Sequence, residues 1–385
     1  MTRLAVLMIS KASVTALYRE KQRQMAAAPG SGGVNLTLVV PPAFGGIAFE
    51  PDPADTYPIA QLPLWWGRQQ HHLHLYRGLA RVFRAAAPDL VHIDEEHYSL
   101  VTWAATRLAQ EQKVPSVFFT WQNLYKRYPW PVSAWEGYVL RQSQGAIAGN
   151  QEAAAVLAAK GFRGPVAVIP QFGTDPDRYR PLDAGERAAV RQQWGLSADS
   201  VAIGYVGRLV ADKGLGVLAA AAAPLLHQHP SWHLVLVGDG PWRGAGAAWQ
   251  RAAGLERQVH WVPRVPSPAM PPVMGALDVL VLPSLTTPRW KEQFGRVLVE
   301  AMASGVPVIG SNSGEIPAVI GAGGLVVPEG DAAALGEALS ALAADPAARS
   351  TLAHAGRARV LAHYTPGTIA ADTVRFYQQV CQAQG

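Results

Sequence analysis

Short apolar runs alternate with longer Ala- and Leu-rich stretches along the whole chain. Runs that are apolar at every position are typical of strands in parallel sheets, which helices cover on both faces. The predicted strands fall into two series, at 4–10, 34–40, 90–94, 114–120, 146–149 and 166–170, and then at 201–206, 233–237, 259–262, 279–283, 307–310 and 325–327. Two such series predict an α/β protein with two doubly wound, Rossmann-like domains.

A segment rich in Pro, Gly and Asp, QFGTDPDRYRPL at 171–182, separates the two series. These residue types interrupt regular structure and favour loops. We therefore expect an N-terminal domain at 1–172, a linker at 173–182, a C-terminal domain at 183–363 and a final segment at 364–385.

Composition excludes several classes of protein. Hydrophobic residues make up 49% of the 385 residues and charged residues 16%, which is enough apolar material for two cores. No apolar run approaches the ~20 residues of a membrane span, and the single cysteine, Cys381, permits no internal disulfide. We expect a cytoplasmic protein.

Positive charge is concentrated in the N-terminal half. Residues 1–172 contain sixteen Lys and Arg against eleven Asp and Glu, whereas 173–385 contain seventeen of each kind. This excess favours an anionic partner, such as a membrane surface or a phosphorylated acceptor, and a solvated basic face is the alternative. The basic residues are scattered and form no recognised module, so we expect no nucleic acid as a partner.

Glycine, proline and charged residues follow five strands of the second series. The strand ends lead into Gly207-Arg208, into Gly238-Asp239-Gly240, into Pro263-Arg264, into PSLTTPRWKEQFG at 283–295 and into GSNSGEIP at 310–317. The carboxyl ends of parallel strands lie at one edge of the sheet, where open α/β sheets bind ligands. The pattern therefore predicts a binding crevice.

Arg208 and Lys213 lie five residues apart in GRLVADKG at 207–214, and two such cations can converge on a diphosphate. An ordinary pair of surface cations is the alternative. The stretch lacks the GxxxxGK[ST] order of a Walker loop. The GDGPWRG run at 238–244 also fails the GxGxxG spacing, which disfavours a dinucleotide dehydrogenase.

Glu292 and Glu300 flank the predicted start of a helix at 295–304. The free N–H groups around Gly295, Arg296 and Val297 would form an anion site. Glu300 would lie about 7.5 Å further along the helix, where it could hold two ribose hydroxyls. Glu292 could hold hydroxyls of the group beyond the phosphates.

The stretch EQFGRVLVE at 292–300 resembles the E-x7-E signature of the family 4 retaining glycosyltransferases with the GT-B fold. The GR, KG, VGDGP and GTDPDRYRP stretches at 207–208, 213–214, 237–241 and 173–181 follow the same family's order and spacing. The resemblance covers nearly all of the second half and the linker. In the first half it is limited to the strand rhythm and to Ala148-Gly149-Asn150.

The resemblance implies a GT-B enzyme that transfers a sugar from a nucleotide-diphosphate sugar with retained configuration. It implies no cofactor and no obligatory metal. The acceptor would be a glycan, a lipid-linked molecule or a small molecule, bound on the N-terminal side of a cleft between the domains. The resemblance also implies that the segment at 364–385 forms a helix that packs back on the first domain, as the corresponding segment does in relatives. A GT-B epimerase or phosphorylase, or a non-catalytic protein that binds nucleotide sugars, are the alternatives.

The same resemblance assigns roles to single residues. Arg208 and Lys213 would hold the diphosphate, Glu300 the ribose and Glu292 the transferred sugar. The other predicted donor-site residues are Gly207, Gly238, Gly240, Arg264 beside the base, Phe294, Gly295, Arg296 and Val297.

The first half departs from the family. A glycine pair commonly follows the first strand, but Lys11 and its neighbours stand here and could supply charge instead. Where many relatives have a histidine, this chain has Trp121-Gln122-Asn123. We predict that Glu95, Glu96 and Asn123 face the acceptor or the sugar, with His97 as another candidate and polar strand ends as the alternative.

Two further features carry weaker signals. His71, His72 and His74 are spaced for a surface helix rather than for a metal site, because no acidic ligand accompanies them. Trp65 and Trp66 are expected in the core. If they are exposed beside Arg68, Arg77, Arg81 and Arg84, peripheral contact with the inner face of an anionic membrane follows instead.

Overall fold

The computed structural model describes residues 3–66 and 72–383 of the chain. The chain divides into two compact units. Unit 1 comprises Met1–Gly173 together with Pro366–Gly385, and unit 2 comprises Thr174–Thr365. Each unit contains a parallel sheet with helices, and each is described below by itself.

Unit 1 begins with alternating strands and helices. In chain order its elements are β1 (Leu4–Ile9), α1 (Glu20–Ala27), β2 (Val34–Val40), β3 (Ala43–Phe44), β4 (Ile47–Ala48), β5 (Ile59–Gln61), β6 (Leu64–Trp66), β7 (Leu75–Tyr76), α2 (Leu79–Ala86), β8 (Leu90–Ile93), α3 (Leu100–Glu111), β9 (Ser116–Thr120), α4 (Val132–Gln142), β10 (Gly145–Ala148), α5 (Gln151–Ala159) and β11 (Val166–Val168).

Seven parallel strands form the unit 1 sheet in the order β11-β10-β9-β8-β1-β2-β5. The central strands β1, β8, β9 and β10 are almost wholly buried, as their continuous apolar sequences predict. Two short antiparallel pairs, β3–β4 and β6–β7, lie outside this sheet.

Unit 2 repeats the alternation. Its elements are α6 (Ala184–Gln193), β12 (Val201–Val206), α7 (Leu215–Gln228), β13 (Trp232–Val237), α8 (Trp242–Ala252), β14 (Val259–Val262), α9 (Met270–Gly275), β15 (Val279–Leu282), α10 (Arg296–Ala303), β16 (Val308–Ser311), α11 (Ile316–Ile320), β17 (Gly324–Val327), α12 (Ala332–Ala344) and α13 (Pro346–His363).

The six parallel strands of unit 2 have the order β14-β13-β12-β15-β16-β17. The chain runs outward from β12 in one direction as far as β14 and then returns to place β15 on the other side of β12. Doubly wound sheets bind their ligands beside such a reversal, which here lies at the carboxyl ends of β12 and β15.

The last helix, α14 (Pro366–Gln382), belongs to unit 1 although it follows unit 2 in the sequence. Its apolar side chains Ile369, Val374, Phe376, Tyr377 and Val380 are buried in the unit 1 core. The hydroxyl of Tyr377 lies 2.5 Å from Nδ1 of His92 on β8, which adds a polar contact to this packing.

The predicted fold class is confirmed, and all twelve predicted strands are present with ends that differ by at most two residues. The strands β3 to β7 were not predicted. They contain two or three residues each, too few to establish a hydrophobic period.

Two local predictions were wrong. His72 lies in a turn and His74 immediately before β7, so these residues form no surface helix, and His74 is completely buried. Trp65 is 66% exposed rather than in the core. His71 and Arg68 lie outside the described residues.

Candidate functional site

A cavity of about 680 Å³ opens at the carboxyl ends of β12, β13 and β14 in unit 2. It brings together five of the residues that the sequence predicted as donor-binding: Gly207, Arg208, Gly238, Gly240 and Arg264. Since these residues follow three neighbouring parallel strands, the order of the sheet alone places them at one edge.

Gly238 lets the ends of β12 and β13 lie close together at this cavity. Its φ is +139°, and a Cβ atom built there would lie 1.9 Å from the backbone oxygen of Gly207. A side chain at position 238 would therefore push the ends of β12 and β13 apart.

Arg208 offers an exposed guanidinium beside this cavity. The backbone of Arg208 is held in place because the hydroxyl of the buried Tyr205 donates a hydrogen bond of 2.7 Å to the Arg208 carbonyl oxygen. Within the described chain no Asp or Glu forms an ion pair with Arg208, so its charge is available to an anion.

Lys213 and Glu292 form an ion pair, although separate roles were predicted for them. The Nζ of Lys213 also lies 4.6 Å from the centre of the Trp290 ring, and the hydroxyl of Ser284 donates to the same Glu292 oxygen at 2.9 Å. Sequence reasoning missed Ser284 and Trp290, since neither belongs to a motif. Together these groups hold the Lys213 ammonium at a fixed position.

The helix α10 begins after Gly295, as the sequence predicted within one residue, and no side chain caps its N-terminus. The N–H groups in the first turn of an α-helix point out of its N-terminus and carry partial positive charge. Phe294 packs edge-on against Tyr364, with ring centres 5.7 Å apart, and fixes the chain just before the helix.

Glu300 lies in the second turn of α10 and is buried. Its Oε1 is 2.8 Å from Nε of Arg296, and Tyr179 is a hydrogen-bond partner. Burial raises the pKa of Glu300 above the ordinary value of 4.5, against the opposing effects of Arg296 and Tyr179. A buried carboxylate with a raised pKa is typical of a ligand-binding position.

In unit 1, Lys11 and Glu95 form an ion pair at the ends of β1 and β8. The Lys11 N–H also donates to Glu95 at 2.9 Å, and His74 Nε2 lies 3.5 Å from this carboxylate. Burial alone would raise the pKa of Glu95, but Lys11 and His74 lower it to about 2. The Glu95 side chain is only 1% exposed, and its carboxylate is paired with Lys11.

The other two predicted residues of unit 1 are also tied to the backbone or to neighbours. Glu96 accepts hydrogen bonds from the Trp121 N–H at 2.9 Å and from Thr120 Oγ1 at 2.6 Å, and so fixes the end of β9. Asn123 is buried and donates to Glu152 at 3.2 Å.

Two polar atoms near the end of β9 stay unpaired within the described chain. The amide of Gln122 donates to Tyr128 at 2.6 Å, but its Oε1 is buried without a hydrogen-bond partner. The Nε2 atom of His97 lies 3.1 Å from Oε1 of Glu136, whereas the buried Nδ1 atom of His97 has no hydrogen-bond partner. Buried polar atoms without a hydrogen-bond partner are uncommon in folded proteins, so these two atoms are candidates for contact with a ligand.

Gly149, which follows β10, makes room for the ring of Trp121. A Cβ atom at this position would lie 2.2 Å from that ring. The indole in turn donates to Gln171 at 2.9 Å. The small residue after β10 is therefore required by the packing of the segment after β9.

Within residues 3–66 and 72–383, no three His, Cys, Asp or Glu side chains are grouped closely enough to hold a metal ion. Over the same residues, no helix has the length and apolar character needed to cross a membrane.

Family comparisons match both halves of the chain. Residues 200–345 match a family model described as "Glycosyl transferases group 1", and residues 19–171 match one described as "Glycosyl transferase 4-like domain". Together the two segments cover most of the chain.

Among curated proteins, the chain is 35% identical to a D-inositol 3-phosphate glycosyltransferase of Nocardia farcinica, over 48% of this chain and 41% of that protein. It is 32% identical to a 2-deoxystreptamine glucosyltransferase of Streptomyces kanamyceticus, over 59% of this chain and 58% of that protein. The chain thus spans about half the length of the curated relatives it matches.

Solved structures share the fold over the full length. A sucrose-phosphate synthase of Thermosynechococcus elongatus gives a TM-score of 0.70 at 23% identity, covering 98% of this chain and 99% of that chain. The structure of HepE of Anabaena in complex with UDP gives a TM-score of 0.73 at 19% identity, covering 98% of this chain and 100% of that chain.

Proposed function

Because the chain belongs to the family 4 glycosyltransferases of the GT-B fold, we propose that it transfers a sugar from a nucleotide-diphosphate sugar to a hydroxyl group of an acceptor. The observation that carries the proposal is the set of positive groups at the carboxyl edge of the unit 2 sheet: Arg208, Lys213 and the uncapped start of α10. These groups suit a diphosphate.

In the proposed complex each group has a separate task. The diphosphate lies between Arg208, Lys213 and the N–H groups of α10, the base lies in the cavity beside Arg264, and Glu300 accepts hydrogen bonds from the ribose. Glu292 accepts from hydroxyls of the sugar. Donor binding then requires Lys213 to interact with both Glu292 and a phosphate, since Lys213 and Glu292 form an ion pair.

We further propose that transfer retains the anomeric configuration and needs neither a cofactor nor a metal ion. The two cations and the helix terminus can offset the charge that develops on the departing diphosphate. An oxygen of that diphosphate then deprotonates the acceptor hydroxyl. A trapped covalent glycosyl-enzyme would contradict this mechanism.

Acceptor recognition falls to unit 1 in this proposal. The unpaired Oε1 of Gln122 can accept a hydrogen bond from an acceptor hydroxyl, which gives this residue the task that the sequence had assigned to Glu95. The names of the relatives suggest a first panel of acceptors that includes inositol phosphate and 2-deoxystreptamine.

The test is sugar transfer from UDP-, GDP- and ADP-sugars to that panel by wild type and by Arg208→Ala and Lys213→Ala. Removing one charge-stabilising donor typically lowers kcat about 100-fold or more. Arg251→Ala is the matched control, because Arg251 is exposed on α8 away from the cavity. Unchanged turnover in both site variants would refute the proposal. Donor incubated without acceptor would reveal epimerisation, and added phosphate would reveal a phosphorylase.

We also propose that unit 1 contacts the inner face of an anionic membrane from the cytoplasm. Trp65 is 66% exposed, and Arg77, Arg81 and Arg84 are exposed in and near α2. An arginine near such a surface contributes about 1 kcal/mol. Replacing Arg81 and Arg84 with Ala should therefore weaken sedimentation with phosphatidylglycerol vesicles about tenfold or more, whereas Arg251→Ala with Arg257→Ala should not. Equal sedimentation of both double variants would refute the contact.

A further inference from the structure

A second cavity, here called the rear groove, lies at the opposite edge of the unit 2 sheet. Its volume is about 560 Å³, within the range typical of small-molecule sites. Leu277 and Asp278, which precede β15, and Pro307, which precedes β16, form one wall. Since these residues lie at the amino ends of parallel strands, the rear groove is separate from the cavity beside Arg208.

Arginines dominate the polar lining of the rear groove. Arg187 on α6 and Arg349 and Arg357 on α13 line it, and Asp278 is the carboxylate among the lining residues. Asp278 already pairs with two guanidinium groups, those of Arg187 and of Arg191 behind it. The lining therefore carries an excess of positive charge.

The guanidinium groups of Arg349 and Arg357 are held by neutral partners. Arg349 donates to the carbonyl oxygens of Leu342 and Ala343, at 2.8 and 2.6 Å. Arg357 donates to the carbonyl of Tyr179 at 3.3 Å and also to that of Ala303. Carbonyl oxygens fix the orientation of these side chains without cancelling their charge, so the positive field is preorganised.

The charges influence one another across the groove. Burial, together with the charges of Arg191 and Arg349, lowers the pKa of Arg187 against the opposing effect of Asp278. An anion in the groove would relieve this repulsion between like charges.

The remaining walls are apolar. Pro181, Pro346, Ala353 and Leu361 line the groove, and Leu361 is 46% exposed. A simple inorganic ion would leave these surfaces in water, whereas a ligand with an apolar body would cover them.

We propose that the rear groove binds a free, small amphipathic anion. Its phosphate or carboxylate head lies in the field of Arg187, Arg349 and Arg357, and its apolar body packs on Pro346 and Leu361. This site is separate from the proposed donor site, and the inference does not depend on the proposed sugar transfer.

Calorimetric titration with hexyl phosphate tests the proposal, with inorganic phosphate and hexanol as the two partial ligands. Saturating UDP in every titration keeps the probes out of the donor cavity. We expect hexyl phosphate to bind at least tenfold more tightly than either partial ligand, because burial of two methylene groups already corresponds to about tenfold. Equal affinity for phosphate and hexyl phosphate would overturn the amphipathic assignment.

Two matched substitutions in α13 locate the binding. Ala358 is exposed and lines the groove, whereas Ala362 is exposed one turn later and does not line it. Ala358→Glu should weaken hexyl phosphate binding about tenfold or more, since it places a negative charge beside the ligand head, and Ala362→Glu should bind as wild type does. Equal affinity of the two variants for hexyl phosphate would overturn the assignment of the binding site to the rear groove.

A lipid head group carries the same chemistry as a free alkyl phosphate. We expect Ala358→Glu and wild type to sediment equally with phosphatidylglycerol vesicles, because the groove has the size of a site for a free ligand. Loss of vesicle binding in Ala358→Glu alone would overturn the assignment to a free molecule.

Discussion

At the residue scale, the Glu300 carboxylate is buried beside Arg296 and Tyr179, and burial raises its pKa. A carboxyl with a raised pKa stabilises the folded state most below its ordinary value of 4.5, and this contribution is lost as pH rises through the raised pKa. At neutral pH its ionisation therefore opposes folding. The residue is better explained by ligand binding than by stability.

Glu300→Gln should consequently be as stable as wild type or more stable at pH 7.5, with no difference near pH 4. Its affinity for UDP should fall about ten- to a hundredfold, since a hydrogen bond to a charged group contributes about 1.5–3 kcal/mol. Urea unfolding and calorimetry measure the two effects. Glu337→Gln, an exposed change on α12, is the control. A variant that is clearly less stable at pH 7.5 would contradict this account.

The Lys11–Glu95 pair has the opposite pH behaviour. The pKa of Glu95 is lowered to about 2, so its stabilising contribution is full above 4.5 and is lost as pH falls toward 2. Lys11→Met should destabilise the protein by about 3–5 kcal/mol at pH 7, because a buried carboxylate loses its partner. The difference in unfolding free energy between Lys11→Met and wild type should become smaller below pH 4.5. Lys126→Met, at an exposed lysine, should change little, and an equally large loss there would contradict the argument.

Sequence patterns located the candidate site residues but not their pairings. Lys213 and Glu292 are 79 residues apart, and Lys11 and Glu95 are 84 apart. A motif records residue type and local spacing, whereas these contacts depend on which strands are neighbours in the folded sheet. For the same reason the sequence assigned Glu95 to a ligand, although its side chain is committed to Lys11 and His74.

At the element scale, continuous apolar runs identified twelve of the thirteen strands that build the two parallel sheets, because burial on two faces constrains every position. The strand that they missed is the three-residue edge strand β5. The hairpin strands β6 and β7 escaped prediction because their short sequences satisfy only local packing. His74, which precedes β7, is buried next to Glu95 through a tertiary contact, and nothing in HHLH at 71–74 signals that contact.

The helix α14 is attached to the unit 1 sheet by apolar packing and by the Tyr377–His92 hydrogen bond. Burial lowers the pKa of His92 to about 3, with Asp94 opposing and Lys21 assisting. The imidazole is therefore neutral at pH 7, and its Nδ1 shares a hydrogen bond with the tyrosine hydroxyl.

Tyr377→Phe should lower the free energy of unfolding by about 1–3 kcal/mol, because it leaves the buried Nδ1 of His92 without a hydrogen-bond partner. Hydrogen exchange should become faster in α14 and β8. Tyr138→Phe on α4 is the control, since the Tyr138 ring is only partly buried. An equal loss of unfolding free energy in both variants would show that the hydrogen bond between Tyr377 and His92 does not stabilise the protein.

At the scale of the whole molecule, the two units differ in charge. Unit 1 contains seventeen Lys and Arg against twelve Asp and Glu, while unit 2 contains sixteen of each kind. The entire net charge of +5 thus belongs to unit 1. The cations of the proposed donor site in unit 2 thus lie in a unit of zero net charge, so the proposed binding of an anion there depends on local geometry rather than on the net charge of the unit.

A nucleotide that binds unit 2 should stabilise that unit in particular. At 100 times its dissociation constant, UDP or another matching nucleotide should add about 2.7 kcal/mol to the unfolding free energy of the state that binds it. Hydrogen exchange on the full chain should show slower exchange after β12 and at the start of α10. Protection from hydrogen exchange that is confined to β1, β8 and β9 would show that the nucleotide binds unit 1 and would contradict this prediction.

Because the last helix completes the first unit, synthesis and folding follow different orders. Residues of unit 1 leave the ribosome first, yet Ile369, Val374 and Tyr377 arrive only after the 192 residues of unit 2. At roughly 5–20 residues per second, the nascent N-terminal sheet waits about 10–40 seconds for its missing side chains. Unit 2 can therefore fold before unit 1 is complete, and a stop codon ahead of α14 would leave the first-synthesised unit without part of its core.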